Sequence, residues 1–192
     1  MTKPKILAFA GSAKKESLNK KILAVAVQGA QEAGAEVTVV DLRDYPMPIM
    51  DEDLEAAEGI PAKAKELRAL FADNHGLLLA CPEYNSSITP LLKNTLDWVS
   101  RPDQDGSGLR FFNDKTASLI SASGGALGGL RGLVHVRAIL GNIGVHVLPK
   151  QLAVSGATKL FNDDGSMNDP DREKQLKDIG ANLAKMTGKV IA

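Results

Sequence analysis

Short strand-like runs alternate along this chain with segments in which apolar residues recur every three or four positions. Residues 6–10 form the first run, and the residues after it that suit one face of a helix are Ile22, Leu23, Val25, Ala26 and Ala30. Further runs at 36–41, 76–81, 116–121 and 144–148 predict four more strands, the last interrupted at Pro149 and resumed at 152–154. The pattern therefore predicts strands and helices in alternation.

Residues with known end preferences mark the first helix boundaries. Gly34 is expected to stop the first helix, Pro61 to open the next and Asn74 to end it. Between them, residues 43–59 hold two prolines and a run of acids without sustained periodicity. We therefore expect an extended, solvated surface loop there, with at most one short turn.

The later helices begin with a capping residue followed by proline. Thr89 and Pro90 supply an N-cap and a first-turn proline for a helix over 91–100. Asp169 caps the last helix, whose apolar face is Leu176, Ile179, Leu183 and Met186. Another helix follows a glycine cluster, and its apolar residues are Leu133, Val136, Ile139 and Leu140.

Five strands alternating with helices predict an α/β fold: a doubly wound sheet of five parallel strands with helices on both faces. If the strand order is 2-1-3-4-5, the loops after the first, third and fourth strands all leave the carboxyl edge of the sheet, where ligands bind in such folds. We name them loop 1 (residues 11–19), loop 2 (82–88) and loop 3 (123–129). They can meet around one ligand.

The composition limits the classes of function. The 192 residues carry no low-complexity tract, so one domain over 1–192 is expected, large enough to bury a hydrophobic core. Lys plus Arg and Asp plus Glu are both 23, and no basic block with interleaved aromatics occurs, which argues against nucleic acid as a partner. The apolar runs are too short for a membrane span, and no signal peptide is recognisable.

Cysteine and histidine usage excludes two further kinds of site. The single cysteine, Cys81, rules out an internal disulfide, fits a cytoplasmic protein and is expected to be a small buried apolar residue. The three histidines, His75, His135 and His146, are too scattered for a metal-ligand pattern, so no metal is predicted.

Loop 1 indicates an anion site. Amides at a helix start lack partners and the helix dipole is positive there, so phosphate is the natural occupant. Two hydroxyls, an amide and two cations stand within nine residues: Ser12, Ser17, Asn19, Lys14 and Lys15. The loop lacks the GxxxxGK pattern of P-loop proteins, and no G-x-G-x-x-G follows the first strand. These absences leave a mononucleotide, as in flavodoxin-like proteins.

Three motifs in order carry a family resemblance. Loop 1 fits GSxRxxSxN through Gly11, Ser12, Ser17 and Asn19, with Lys14 at the arginine position. Loop 2 and the helix start after it match PEYN-S and P-x-L-K-N at Pro82, Glu83, Tyr84, Asn85, Ser86, Pro90, Leu92, Lys93 and Asn94. A Ser/Gly-rich segment ending in G-G-x-R is matched by Ser121, Ser123, Gly124, Gly125, Gly128, Gly129 and Arg131. The chain thus resembles the NADPH-dependent FMN reductase family, quinone and chromate reductases of flavodoxin-like fold.

The resemblance implies FMN as the cofactor and NADPH or NADH as the electron donor. The residues it assigns to the FMN phosphate are Ser12, Lys14, Ser17 and Asn19, and Gly11 and Leu18 complete the cofactor-binding residues of loop 1. Lysine at position 14 would attract the phosphate as a point charge, without the bidentate geometry of arginine. The residues it places along the isoalloxazine edge are Pro82, Glu83, Tyr84, Asn85 and Ser86. Those it places on the other side of the ring are Ser121, Ser123, Gly124 and Gly125.

The implied activity is NAD(P)H-dependent reduction of quinones or similar acceptors, such as chromate, azo compounds or free flavin, by ping-pong hydride transfer. The chemistry belongs to the cofactor, so no catalytic side chain is expected. Tyr84 and Arg131 would line the substrate face or a subunit contact. The implied partners are a small-molecule electron acceptor and further copies of the chain, in a homodimer or homotetramer.

Alternatives come from other classes of protein. A flavodoxin-like electron carrier would bind FMN without its own NADPH turnover, although carriers tend to be strongly acidic and this chain is neutral. A receiver-type signalling domain needs a phospho-accepting aspartate, which the end of the first strand lacks. Each loop also has a purely structural explanation: helix capping for loop 1, a polar turn for loop 2 and close helix packing for the glycines of loop 3.

Overall fold

The computed structural model describes residues 2–192 and contains a parallel sheet flanked by helices. The elements before loop 2 are β1 (Lys5–Ala10), α1 (Leu18–Glu32), β2 (Glu36–Asp41), α2 (Glu52–Glu58), α3 (Ala62–Asp73) and β3 (Gly76–Ala80). Those from loop 2 onward are β4 (Glu83–Tyr84), β5 (Ser87–Ile88), α4 (Pro90–Ser100), β6 (Thr116–Ala122), α5 (Leu130–Asn142), β7 (His146–Val147), β8 (Leu152–Val154) and α6 (Pro170–Val190).

The main sheet has the strand order β2-β1-β3-β6, and β7 and β8 both pair with β6. All of these pairs are parallel. The expected order 2-1-3-4-5 is matched in part, because its fifth position is divided between two short strands. The interruption at Pro149 is confirmed. β4 and β5 form a separate antiparallel hairpin that the sequence analysis did not predict.

The sheet separates two hydrophobic layers, because successive side chains of a strand point to opposite faces. In β1, Ile6 and Ala8 join the layer that includes residues of α1 and α6. Leu7 and Phe9 join the layer that includes residues of α3, α4 and α5. The helices therefore cover both faces, as predicted. Within residues 2–192, no helix is both long and apolar enough to cross a membrane.

The predicted helix ends are confirmed. Gly34, just past the end of α1, has a φ of 92°, and Asn74 follows the last residue of α3. The Thr89 hydroxyl accepts a hydrogen bond from the Leu92 amide at 3.2 Å. The Asp169 carboxylate accepts one from the Arg172 amide at 3.0 Å. These local signals act within a turn of the residue concerned, which is why sequence suffices to place them.

The expectation of an extended loop over residues 43–59 is wrong, because α2 lies within it. The Asp51 carboxylate caps this helix by accepting hydrogen bonds from the Asp53 and Leu54 amides at 2.8 and 3.2 Å. Three acids fall in the first turn, where the helix dipole favours negative charge. The acids that suggested a solvated loop are therefore the start signal of a short helix.

The segment before α2 is held on α4 by two side chains. The Asn94 carboxamide donates to the Pro48 carbonyl at 2.9 Å and accepts from the Met50 amide at 2.8 Å. The Trp98 indole N–H also donates to the Pro48 carbonyl, at 2.8 Å. Asn94, the last residue of the second family motif, thus has a positioning role in the fold.

The contact between α1 and α6 depends on two glycines. A Cβ added to Gly180 would overlap the carbonyl oxygen of Ala26, and one added to Gly29 would overlap that of Lys177. The two helix backbones therefore touch where these residues face each other. Alanine at position 180 should force the helices apart and lower the free energy of unfolding by about 2–3 kcal/mol. Urea denaturation of Gly180→Ala against the parent protein measures this.

Gly141→Ala is the matched control. Gly141 lies in α5, and an added Cβ there meets nothing within 4 Å. The substitution should leave stability unchanged or raise it by up to about 1 kcal/mol, because alanine is the better helix former. Equal stabilities for the two alanine variants would contradict the close helix contact.

Candidate functional site

Loops 1, 2 and 3 follow β1, β3 and β6, so they leave three neighbouring strands at the carboxyl edge of the sheet. Loops at such an edge have no ladder to hold them together. In this structure side-chain hydrogen bonds join each loop to another. The three links below define the candidate site.

Thr89 links the segment after loop 2 to loop 1. Its hydroxyl donates to the Gly11 carbonyl at 2.7 Å while it caps α4. A Cβ added to Gly11 would lie 2.9 Å from the Leu92 Cβ, so the two backbones approach closely. The sequence analysis names Thr89 only as a cap, since its second partner lies 78 residues away.

Asn19 links loop 1 to the end of β6. Its amide group donates to the Ala122 carbonyl at 2.9 Å, and its oxygen accepts from the Ala122 amide at 3.0 Å. The side chain is buried with 4% of the residue exposed. Its oxygen and one amide hydrogen are therefore committed to Ala122, and the second amide hydrogen remains for a ligand.

The start of α1 has the properties of an anion site. Ser17 occupies the N-cap with extended backbone angles and is only 5% exposed, yet within the described chain its hydroxyl makes no capping bond. No acid lies in the first turn of α1. The helix capping that the sequence also allowed for Ser17 is thus not its role here. Its hydroxyl and the first amides of the helix are available to a phosphate.

The remaining loop 1 residues surround this helix start. The Ser12 hydroxyl is buried and accepts a hydrogen bond from the Lys14 amide at 3.3 Å. The Lys14 side chain is exposed, and Leu18 is partly buried as the first residue of α1. The donor set of hydroxyls, amides and a nearby cation fits a phosphate monoester such as that of FMN.

Loop 2 is a hairpin with a tight two-residue turn. Asn85 and Ser86 have φ values of 49° and 69°, the left-handed conformation that a type I′ turn requires at both central positions. Such a conformation is costly for serine and is found most often at functional sites. Pro82 is buried at the base of the hairpin, whereas Tyr84 is 59% exposed. The polar turn that the sequence also allowed is present here as the tip of a hairpin.

Glu83 links loop 2 to the helix after loop 3. Its carboxylate accepts from the Arg131 guanidinium at 2.9 and 3.1 Å and from the Gly132 amide at 2.9 Å. Burial would raise the pKa of Glu83, but the hydrogen bonds from Gly132 and Arg131 outweigh it and hold that pKa below its usual value. Glu83 and Arg131, which the resemblance places at the ring edge and the substrate face, thus bind each other.

The glycines of loop 3 fall into two groups. Gly128 and Gly129 have φ values of 60° and 91°, and a Cβ on Gly128 would lie 2.6 Å from the Val154 carbonyl carbon. Ser121 supports this tight segment by donating to the Gly128 carbonyl at 2.7 Å. These two glycines serve close packing against β8 and Ser121, whereas the structural explanation had proposed close helix packing.

Gly124 and Gly125 are exposed and have more space around them. A Cβ on Gly125 would meet only the Ser123 hydroxyl, at 3.7 Å. The Ser123 hydroxyl accepts from the Gly125 amide at 3.2 Å, which shapes the turn. The main chain of this part of loop 3 is exposed, and close packing does not require glycine at position 125.

Cys81 and one large cavity lie outside this arrangement. Cys81 is fully buried and burial raises the pKa of its thiol far above the usual value, which confirms the prediction of an inert apolar residue.

A cavity of about 710 Å³ lies between α3 and the segment 102–111, and no residue of the three loops lines it. Its Arg68 and Arg110 are paired with Asp103 at 2.9 and 2.8 Å. Size alone therefore does not identify the site.

Ser87 and His135 form a further link that sequence reasoning missed. The Ser87 hydroxyl and the His135 Nδ1 are hydrogen-bonded at 2.9 Å and join β5 to α5. The two residues are 48 positions apart, and neither belongs to a local pattern that would pair them. Only the approach of the hairpin to the helix brings them together.

Comparison with known proteins identifies the family of this chain. The family model for NADPH-dependent FMN reductase matches residues 4–159. A probable NADPH:quinone oxidoreductase 2 of Oryza sativa subsp. japonica is 33% identical over 186 residues, which cover 93% of this chain and 87% of that protein. The NAD(P)H-dependent FMN reductase PA1204 of Pseudomonas aeruginosa is 32% identical over 173 residues, 90% of this chain and 88% of that protein.

Solved structures agree on the fold. The flavoenzyme FerB, an NAD(P)H:(acceptor) oxidoreductase of Paracoccus denitrificans, superposes with a TM-score of 0.81 at 23% identity, covering 97% of this chain and 98% of that one. The fold is therefore flavodoxin-like, as the alternation of strands and helices predicted. Together with the family model and the two relatives, this establishes that the chain belongs to the NADPH-dependent FMN reductase family.

Proposed function

We propose that this chain is an FMN-dependent NAD(P)H oxidoreductase that reduces quinones or similar two-electron acceptors. Family membership makes it an oxidoreductase with FMN and NAD(P)H as its cofactors. The observation that carries the proposal is the convergence of the three family motifs at one edge of the sheet, each joined to another by buried or half-buried hydrogen bonds. Relatives named as quinone oxidoreductases support the choice of acceptor.

Loop 1 would bind the phosphate of FMN. The Ser12 and Ser17 hydroxyls, the main-chain amides between Ser12 and Leu18 that have no other partner, and the second amide hydrogen of Asn19 would donate hydrogen bonds to it. The Gly11 amide donates to the Ala80 carbonyl at 2.9 Å and would hold the base of the loop. The positive end of the α1 dipole and the exposed Lys14 would attract its charge. No acid lies in the first turn of α1, and the acid of loop 1, Glu16, precedes the N-cap.

Loops 2 and 3 would orient the isoalloxazine ring. The hairpin residues Pro82, Glu83, Tyr84, Asn85 and Ser86 would lie along one edge, where main-chain amides can stabilise negative charge. Ser123, Gly124 and Gly125 would cover the other side, with Ser121 holding that segment in shape. When bound, FMN supplies the hydride chemistry between NAD(P)H and the acceptor, and the protein supplies binding and orientation.

The proposal extends to the organisation of the protein. We infer one flavodoxin-like FMN-binding domain over residues 1–192 and a cytoplasmic location, which the buried free thiol of Cys81 supports. We also infer a homodimer or homotetramer. Its support is a set of exposed large side chains from loops 2 and 3 and from α5, which we call the α5 patch: Tyr84 at 59%, Leu127 at 48%, Leu130 at 46% and Val134 at 57% exposure.

The enzyme and the electron carrier make different predictions. The enzyme should oxidise NADPH or NADH in the presence of a quinone. Double-reciprocal plots of initial rate against NAD(P)H concentration should give parallel lines at different quinone concentrations. Stopped-flow spectroscopy should follow bleaching of the flavin by NAD(P)H before the quinone is added. A protein that binds FMN but leaves NADPH and NADH unoxidised with a panel of quinones would be a carrier.

Ser17 offers a test of the phosphate site that leaves the fold intact. Aspartate is as good an N-cap as serine, so Ser17→Asp should keep the thermal stability of the flavin-free protein. Its carboxylate would repel the FMN phosphate, and we expect the dissociation constant to rise about 100-fold, from roughly 3 kcal/mol of repulsion at an effective dielectric near 20. Fluorescence titration with FMN measures it.

Ser17→Asn is the neutral control for this experiment. Asparagine is also favoured at an N-cap position and carries no charge, so the FMN affinity of this variant should fall less than that of Ser17→Asp. If the aspartate variant binds FMN as tightly as the asparagine variant, the phosphate does not lie at the start of α1.

The α5 patch can be tested by a charge. Val134→Glu should reduce the molar mass measured by light scattering after gel filtration, because an interface would have to bury the new carboxylate. Val39 is equally exposed, at 57%, but lies on β2, so Val39→Glu should leave the mass unchanged. An unchanged mass for Val134→Glu, or a monomeric parent protein, would reject the patch as the interface.

A further inference from the structure

The start of α5 has no capping side chain of its own. Its N-cap residue is Gly129, and its first turn contains no acid. Unpaired amides and the positive end of the dipole make such a start favourable for a nearby carboxylate. Here that carboxylate belongs to Glu83 of loop 2, which lies 49 residues before the Gly132 amide that it binds.

Both oxygens of Glu83 are used. Oε1 accepts from Nε and Nη2 of Arg131 at 3.1 and 2.9 Å, and Oε2 accepts from the Gly132 amide at 2.9 Å. The Glu83 side chain is only 10% exposed, whereas that of Arg131 is 56% exposed. The carboxylate is therefore turned into the protein and the guanidinium lies at its surface.

The first turn of α5 lies close to the hairpin at Gly132. A Cβ added to Gly132 would lie 3.4 Å from the Glu83 Cβ and 3.4 Å from the Ser87 carbonyl oxygen. The hairpin backbone thus rests directly on the first turn of α5. An added Cβ at position 132 would meet the hairpin at van der Waals distance.

The hairpin needs such support from outside. β4 and β5 contain two residues each, too few for a hairpin that is stable alone. Its turn holds Asn85 and Ser86 in the left-handed conformation. Apart from the hydrogen bond between Ser87 and His135, the contacts of Glu83 with Arg131 and Gly132 are the side-chain hydrogen bonds that join it to α5 within residues 2–192.

We propose that Glu83 is a positioning residue, which caps α5 and holds the hairpin of loop 2 against it, and that its ion pair with Arg131 keeps this edge of the site electrically balanced. This inference rests on the proposed function, because it takes FMN to lie between loops 2 and 3. Glu83 then acts on the flavin through the position of the hairpin main chain and through the cancelled charge of Arg131.

The proposal has two parts that can be tested separately. One is the hold of Glu83 on the hairpin, which we call the clamp, and the other is the charge balance with Arg131. Glu83→Gln removes the negative charge and leaves the Arg131 cation unpaired beside the flavin. Arg131→Gln does the reverse and leaves the carboxylate unpaired. A positive charge favours the reduced flavin and a negative charge disfavours it, so the midpoint potential of bound FMN should rise in the first variant and fall in the second. The double variant should return toward the parent value.

Hydrogen exchange tests the clamp in the purified full-length protein. Amides of β4, β5 and the first turn of α5 should exchange roughly tenfold faster in Glu83→Gln, since a charge-assisted hydrogen bond is lost. Glu58→Gln is the control, because Glu58 is an exposed acid at the end of α2, and exchange in the hairpin should not change. Unchanged hairpin exchange in Glu83→Gln overturns the clamp.

Glu83→Asp keeps the negative charge but shortens the side chain by one methylene, so the carboxylate would reach α5 less well. It should speed exchange in the hairpin while leaving the midpoint potential near that of the parent protein. Potentials that move in the same direction in Glu83→Gln and Arg131→Gln overturn the charge balance. Exchange is measured without reference to flavin, so a protein whose hairpin loosens but which binds no FMN supports the clamp and rejects the proposed function.

Discussion

Two hydrogen bonds between the Asn19 carboxamide and the Ala122 backbone hold the candidate site together. β1 and β6 are not neighbours, because β3 lies between them in the sheet. A side chain at the start of α1 must therefore reach across the end of β3 to pair with the last residue of β6. Removing it would leave a buried amide and a buried carbonyl without partners, at a cost of about 1–3 kcal/mol for each. Asn19 is thus the residue whose side chain ties loop 1 to the strand that leads into loop 3.

The three helices that begin after the loops differ in which side chain accepts hydrogen bonds from their first amides. The Thr89 hydroxyl caps α4, and the Glu83 carboxylate caps α5 from a distance. α1 is different, because its N-cap hydroxyl is unused within the described chain and no acid lies in its first turn. Among these three helix starts the field of α1 is therefore the least compensated, which favours an anion there over the other two positions.

Glycine has two separate functions in this protein. At Gly180 and Gly128 it allows backbones to touch, and the neighbouring atoms leave no room for a Cβ. At Gly125 the space is open, and the main chain faces outward. The family pattern contains both kinds without distinguishing them. The left-handed backbone of Asn85 and Ser86 adds a third device, because it turns loop 2 into a hairpin that rests on α5.

The sequence by itself determined the alternation of strands and helices, the caps at Thr89 and Asp169, the three loops and the family to which the chain belongs. These features depend on residues close together in the chain, whose preferences are local. It did not reveal α2, since a short acidic helix resembles a solvated loop, nor the hairpin of loop 2. Tertiary structure alone decided that Asn19 binds Ala122, that Thr89 also binds Gly11 and that Glu83 pairs with Arg131 and Gly132. Each of these contacts joins residues at least 48 positions apart, so its geometry exists only once the sheet has assembled.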